Sequence, residues 1–234
     1  MASVEPTVVD FQNIRVYRQK LNDDLVYDNI KARNLTLVKK HANDKELQRV
    51  LVDLNLSLEA LVEECCKNDI LNRVLSGRIS KKASRQGNND EETQINVCNT
   101  MSSKFGVNIE NLSAVAYRPT KSGTIVSRSE MTKQNIGMDD CLKSFDARIT
   151  GAVNGWVFAK VVYGNGGHQD NVFHEAEALC SWVEQYKNDN GELYIVLIDT
   201  DLRTKFDKIK QKYAHIKNIL IANHVECQKY FANL

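Results

Sequence analysis

Two apolar runs of period two, Phe145 to Ile149 and Trp156 to Val162, stand either side of a short connection rich in Thr-Gly and Asn-Gly. Alternation of that kind across turn-forming residues specifies a β-hairpin. Antiparallel pairing then sets the start of the first strand, Asp146, beside the end of the second, Lys160, at one edge of a sheet. Past Lys160 the chain turns through Gly164, Gly166 and Gly167 and enters a helix near Asp170 to Val172 that carries Glu175 and Glu177. An acid, a lysine and a further acid can therefore converge on one spot.

The elements that follow decide the fold class. Leu193 to Ile198 is a continuous apolar run bounded by Gly191 and Asp199, the pattern of a strand covered on both faces. Asp201 to Tyr213 is amphipathic at helical spacing, Ile219 to Ala222 is a second buried strand, and Val225 to Phe231 closes the chain as a helix. Asp199 and Asp201 are expected to end the strand and cap the next helix. The order strand, strand, helix, strand, helix, strand, helix implies an α/β fold, a mixed β-sheet flanked by helices.

Ahead of this core the text is helical from about Val8 to Ile79, with no proline after Pro6 and no glycine before Gly77, which is expected to end the region. Leu47, Leu51, Leu54, Leu58, Leu61 and Val62 form one stripe behind an Asn43-Asp44 cap, read as core or subunit interface. The expected division is therefore a helical region over 1–79 and a core over 80–234. A basic, Ser-rich loop with Lys81, Lys82 and Arg85 leads into a helix from Asn89 to about Phe105. Asp90, Glu91 and Glu92 fall in that helix's first turn, where the macrodipole favours acids. Arg118 to Gly123 is a turn before a short strand at Thr124 to Ser127, and Arg128 to Asp140 leaves helix and loop both open.

Composition excludes some functions. Lys plus Arg number 31 and Asp plus Glu 30, so any nucleic-acid surface must come from local clustering. The N-terminus lacks a basic-then-apolar signal, and no apolar run approaches the ~18 residues of a membrane span, so a cytoplasmic protein is expected. The six cysteines lack CxxC spacing and suit buried, reduced thiols. Asn165, Gly166 and Gly167 have no Lys-Ser/Thr sequel, which rejects a nucleotide P-loop, and no organic cofactor is expected.

Metal-activated hydrolysis of a phosphodiester needs carboxylates to hold a divalent ion and a lysine to position the nucleophile and offset negative charge. Asp146 and Lys160 have those types and that strand placement, and hard oxygen ligands suit Mg²⁺. The pair resembles the active-site hairpin of the PD-(D/E)xK nuclease superfamily, type II restriction endonucleases in particular. Phe158-Ala159-Lys160 stands where that pattern has an acid, any residue and Lys, so the strand acid is missing. Some enzymes of the superfamily carry it on the following helix, which implies Glu175 or Glu177 here. Val172, Ala176, Leu179, Cys180 and Val183 mark the buried stripe of that helix; Glu175 lies at its edge and Glu177 points further round, which selects Glu175.

Two further stretches carry the resemblance. Arg85-Gln-Gly87-Asn-Asn-Asp-Glu91 is similar to the Arg-x-Gly-x-x-x-Glu opening of the first core helix, which implies that Glu91 lies near the metal site. Gly166-Gly-His-Gln-Asp-Asn171 looks like the glycine-rich segment after the catalytic lysine. The likeness covers roughly Arg78 to Leu234. It implies a Mg²⁺-dependent endonuclease in which Asp146, Lys160, Glu175 and Glu91 form the site, with Asp146 and Glu175 on the metal. Double-stranded DNA would be read by Lys81, Lys82, Arg85, Arg118, Lys121, Arg128, Lys133, His168, Gln169 and Asn171, whose types suit base and phosphate contacts. A two-fold target implies a homodimer, joined through the helical third. A structure-specific repair or recombination nuclease and an inactive DNA-binding module are the other readings. Each residue also has a bland one: edge acid, snorkelling lysine, or first-turn acid.

Overall fold

The structure is a computed structural model and describes residues 5–83, 87–113, 116–163 and 167–234, with the side chains of 87–88 and 167–169 outside the description. It divides into two compact units, one of Asp10–Gly87 and one of residues 5–9 with Asn88–Leu234.

The helical unit holds α1 (Phe11–Lys31), α2 (Leu35–His41), α3 (Asp44–Leu54), α4 (Leu58–Lys67) and α5 (Asp69–Ile79). Each starts where a polar side chain, Asp10, Asn34, Asn43, Ser57 or Asn68, accepts a backbone N–H of the first turn. Val26, Ile30, Val38, Leu47, Leu61 and Ile79 are among its core. The Leu47–Val62 stripe is not one helix face. Asn55 adopts a left-handed φ of 50° and Ser57 caps a new helix, so α3 and α4 turn apart and Leu54 is exposed. Gly77 does not end the region; it lies inside α5.

The second unit is built on a five-stranded sheet of order β1-β4-β5-β6-β7. Its strands are β1 (Val107–Asn111), β4 (Ala147–Gly151), β5 (Gly155–Val162), β6 (Leu193–Thr200) and β7 (Ile219–Ala222). β1, β4 and β5 pair antiparallel, whereas β5, β6 and β7 run parallel, so the sheet is mixed. The expected α/β architecture is present. Every residue of β6 is buried, because helices cover both faces. α8 (Gly167–Tyr186) and α9 (Arg203–Lys212) pack on Trp156, Phe158, Tyr194 and Val196. α6 (Gly87–Ser102) and α10 (His224–Ala232) pack on Val157, Ala159, Ile195 and Leu197 on the opposite face. Period-two alternation along β5 sorts its side chains between those two cores.

Gly155 opens β5 where no other residue fits, since a Cβ would lie 1.8 Å from the Leu193 carbonyl oxygen. A small hairpin, β2 (Tyr117–Pro119) with β3 (Ile125–Ser127), precedes α7 (Arg128–Gln134). The Trp182 indole N–H donates to the Thr120 carbonyl, which ties that hairpin to α8. Among the described residues no helix is long and apolar enough to cross a membrane.

Candidate active site

The β4–β5 ladder stops at Ala147, one residue short of Asp146, and the reason is a side chain. Asp146 N–H donates to the Val157 carbonyl at 2.8 Å, and the next free donor, Ala159 N–H, is taken by Asp146 Oδ2 at 2.8 Å. The carboxylate replaces the backbone acceptor that a longer strand would supply, and this fixes its rotamer at the sheet edge. Lys160 Nζ then lies 3.4 Å from Asp146 Oδ2, 2.9 Å from Glu91 Oε1 and 2.7 Å from the Ala159 carbonyl oxygen. Three elements meet here: the entry to β4, the end of β5, and α6.

The lysine, Glu91 and Asp146 side chains are 15%, 18% and 23% exposed, so water screens them little. Burial pushes the Asp146 carboxyl above the usual aspartate range; the Lys160 charge and Ala159 N–H oppose that, while the Glu175 charge adds to it. Burial likewise raises Glu91, against the pull of Lys160 and with the push of Asp146. Burial alone would lower the Lys160 amine, but the charges of Asp146 and Glu91 outweigh it and hold the amine above its ordinary value. Both acids rise because burial outweighs the attraction of the one ammonium they share.

Of the two candidate helix acids, Glu175 is the one whose charge reaches Asp146. Its Oε1 also lies 3.2 Å from Lys143 Nζ. Glu177 Oε1 instead pairs with Lys212 Nζ of α9 at 3.2 Å. Phe158, in the strand acid's place, is buried in the α8 and α9 core.

Hard carboxylate oxygens and the Ala159 carbonyl match what Mg²⁺ prefers. The acids Glu91, Asp146 and Glu175 outnumber Lys160 and Lys143, and the Glu175 charge adds to the burial that raises the Asp146 carboxyl. Glu91 is committed to Lys160 and Glu175 to Lys143. Among the described residues there is accordingly no ready group of three His, Cys, Asp or Glu side chains for a metal. The fit is thus of donor type: Asp146 and Glu175 supply carboxylates whose charges interact.

The residues expected to face DNA scatter. Arg118, Lys121, Arg128 and Lys133 lie on β2, the turn after it and α7 of the second unit, the last three exposed. Lys81 and Lys82 belong to the helical unit, where Lys82 Nζ donates to the Gly77 carbonyl. Asn171 is exposed on α8. Arg85 and the side chains of His168 and Gln169 lie outside the described residues.

Sequence reasoning missed a buried polar chain beneath the site. Asp199 does not cap the next helix, α9: its Oδ2 accepts from Gln94 Nε2 at 2.6 Å and from the His224 backbone N–H at the start of α10 at 3.2 Å, and its Oδ1 pairs with His224 Nδ1 at 2.7 Å. Val9 N–H donates to His224 Nε2, so the imidazole proton sits on Nδ1 and faces Asp199. Gln94 also donates to the Lys160 carbonyl at 3.4 Å. Its position one turn beyond Glu91 was the available signal. No family profile, curated protein or solved structure matches the chain.

Proposed function

We propose that the chain is a Mg²⁺-dependent endonuclease of restriction type that cleaves double-stranded DNA as a homodimer. The observation that carries the reading is the Glu91–Lys160–Asp146 cluster at the sheet edge, with the charge of Glu175 bearing on it. Mg²⁺, when bound, supplies an activated water and offsets phosphoryl charge. The chain's own residues divide the remaining work. Asp146, its rotamer set by Ala159 N–H, and Glu175 hold the cation. Lys160, kept protonated by its two acids, donates to the attacking water and to the developing negative charge. Glu91 anchors Lys160, and Glu177 pairs with Lys212 of α9.

Recognition falls to Arg118, Lys121, Arg128 and Lys133 around the β2–β3 hairpin and to the start of α8, with Lys81, Lys82 and Arg85 contacting phosphates. The six cysteines are free, as suits a reducing cytoplasm. Exposed Val16, Tyr17, Leu21 and Leu25 on α1, with Ile70 and Val74 on α5, support dimerisation through the helical unit. Phage DNA incubated with the protein and Mg²⁺ should give discrete fragments, and EDTA should abolish them. Cutting confined to branched or damaged DNA would move the reading to a repair nuclease. Phe158 in place of the strand acid favours the second reading, an inert DNA-binding module, and that module predicts binding without fragments under any divalent ion.

A further inference from the structure

Beside the acidic cluster lies a cleft of about 340 Å³ whose lining includes Arg118, Leu142, Lys143, His174 and Glu175. At ~30 Å³ per water this is room for a tetrahedral anion with part of its hydration shell. Its polar groups are basic except for one acid. The Arg118 guanidinium is fixed, because Nη1 donates to the Leu142 carbonyl at 3.0 Å. Its Nε is buried without a hydrogen-bond partner. A buried guanidinium N–H left unsatisfied is costly, and an oxyanion is the ligand whose geometry matches the planar fork.

Lys143 is held only loosely. Its ion pair with Glu175 joins side chains 52% and 29% exposed, the class of pair that contributes little and exchanges partners readily. His174 adds an exposed imidazole from α8, one residue before Glu175. The cleft is also continuous with the candidate site by chain and by charge. Lys143 stands three residues before Asp146 on the segment that enters β4, and Glu175 both lines the cleft and bears on Asp146.

The geometry points to a phosphate subsite in this cleft, held by Arg118, Lys143 and His174, that takes the DNA backbone phosphate next to the one positioned at Asp146 and Lys160. The inference rests on the nuclease reading for its ligand. It adds a consequence of its own: a phosphate on Lys143 displaces Glu175, and the freed carboxylate turns to the site shared with Asp146. DNA would thereby complete the cation site that the free protein leaves divided between two lysines.

Titration with inorganic phosphate in the absence of divalent ions, followed by ³¹P line broadening and calorimetry, tests the subsite without requiring cleavage. The wild-type protein should bind at one saturable site. Lys143→Gln should weaken that binding about 10-fold and Lys143→Gln with His174→Ala should remove it, as charge-assisted contacts are lost. Glu175→Gln, which deletes the acid that lines the cleft, should tighten it about 3-fold. A short DNA duplex should displace the bound phosphate. Absence of saturable binding, or unchanged affinity in Lys143→Gln, overturns the subsite, as does displacement by a nucleoside monophosphate but not by the duplex. Phosphate binding as described in a protein that cuts no DNA retires the nuclease reading and leaves the subsite standing; cleavage with phosphate indifferent to Lys143 does the reverse.

Discussion

A single ammonium shared by two half-buried acids limits the chemistry open to the sheet edge. Lys160 is held above its ordinary value, so at neutral pH it is a donor and a positive charge rather than a proton acceptor. Lys160→Ala is therefore expected to cost about 10²- to 10³-fold in cleavage rate, the scale of removing one oriented donor from developing charge, measured by single-turnover kinetics. The raised Asp146 and Glu91 carboxyls place the rising limb of the pH profile above the usual carboxylate range. Glu91→Gln removes a like charge and leaves the lysine to Asp146, so it should move that limb to lower pH; an unmoved limb contradicts the shared-lysine account. Stability carries a matching signature. The folded protein binds the Asp146 proton more tightly than the unfolded chain does. That contribution is present in full below the ordinary aspartate value and is lost as pH rises through the raised one. Asp146→Asn should accordingly melt higher than wild type at pH 7 and converge with it in acid, as read by thermal scans.

Strand parity places Phe158 in the core of the second unit. Phe158 points into the core with Phe173, Leu179 and Phe206, so a carboxylate at that position would replace buried apolar contacts with a desolvated charge. Phe158→Ala is expected to cost about 3–5 kcal/mol by urea denaturation, and Phe158→Glu at least as much. Restoration of cleavage to a Glu175→Gln protein by Phe158→Glu would contradict this reading. The same parity marks how much was legible in advance. The hairpin and the paired ends Asp146 and Lys160 could be read from alternation, because one-face burial leaves a period in the text. The helical period also put Glu175 nearer the buried stripe than Glu177, and the two pair with different lysines, Lys143 and Lys212. Lys143 and the Asp199–His224–Gln94 chain were not legible: a polar residue's choice of partner is made by tertiary placement, and Asp199 after an apolar run looks the same whether it caps a helix or anchors a buried histidine. The break between α3 and α4 was missed because Leu continued at helical spacing through Asn55, whose left-handed backbone ends the helix.

For the whole molecule the account requires two copies and one cation site per copy. Apolar side chains at Tyr17, Leu21 and Leu25 recur along one side of α1 and remain exposed, with Val16 exposed further round, and Ile70 and Val74 recur on one side of α5. Tyr17→Asp with Val74→Asp is expected to convert a dimer to a monomer in sedimentation velocity while leaving the far-ultraviolet spectrum unchanged. A wild-type protein that sediments as a monomer at all concentrations would remove the two-fold target from the reading. In the proposed reaction the acids of the second unit would carry the chemistry, and Asp146 is the one that touches the strand, the lysine and the electrostatic reach of Glu175. The most direct test compares wild type with Asp146→Ala on one DNA, cleavage scored in Mg²⁺ and binding in Ca²⁺. The account predicts discrete fragments from wild type, none from the variant, and duplex affinity in Ca²⁺ within about 3-fold, or under about 1 kcal/mol. Equal cleavage by the two proteins would contradict it.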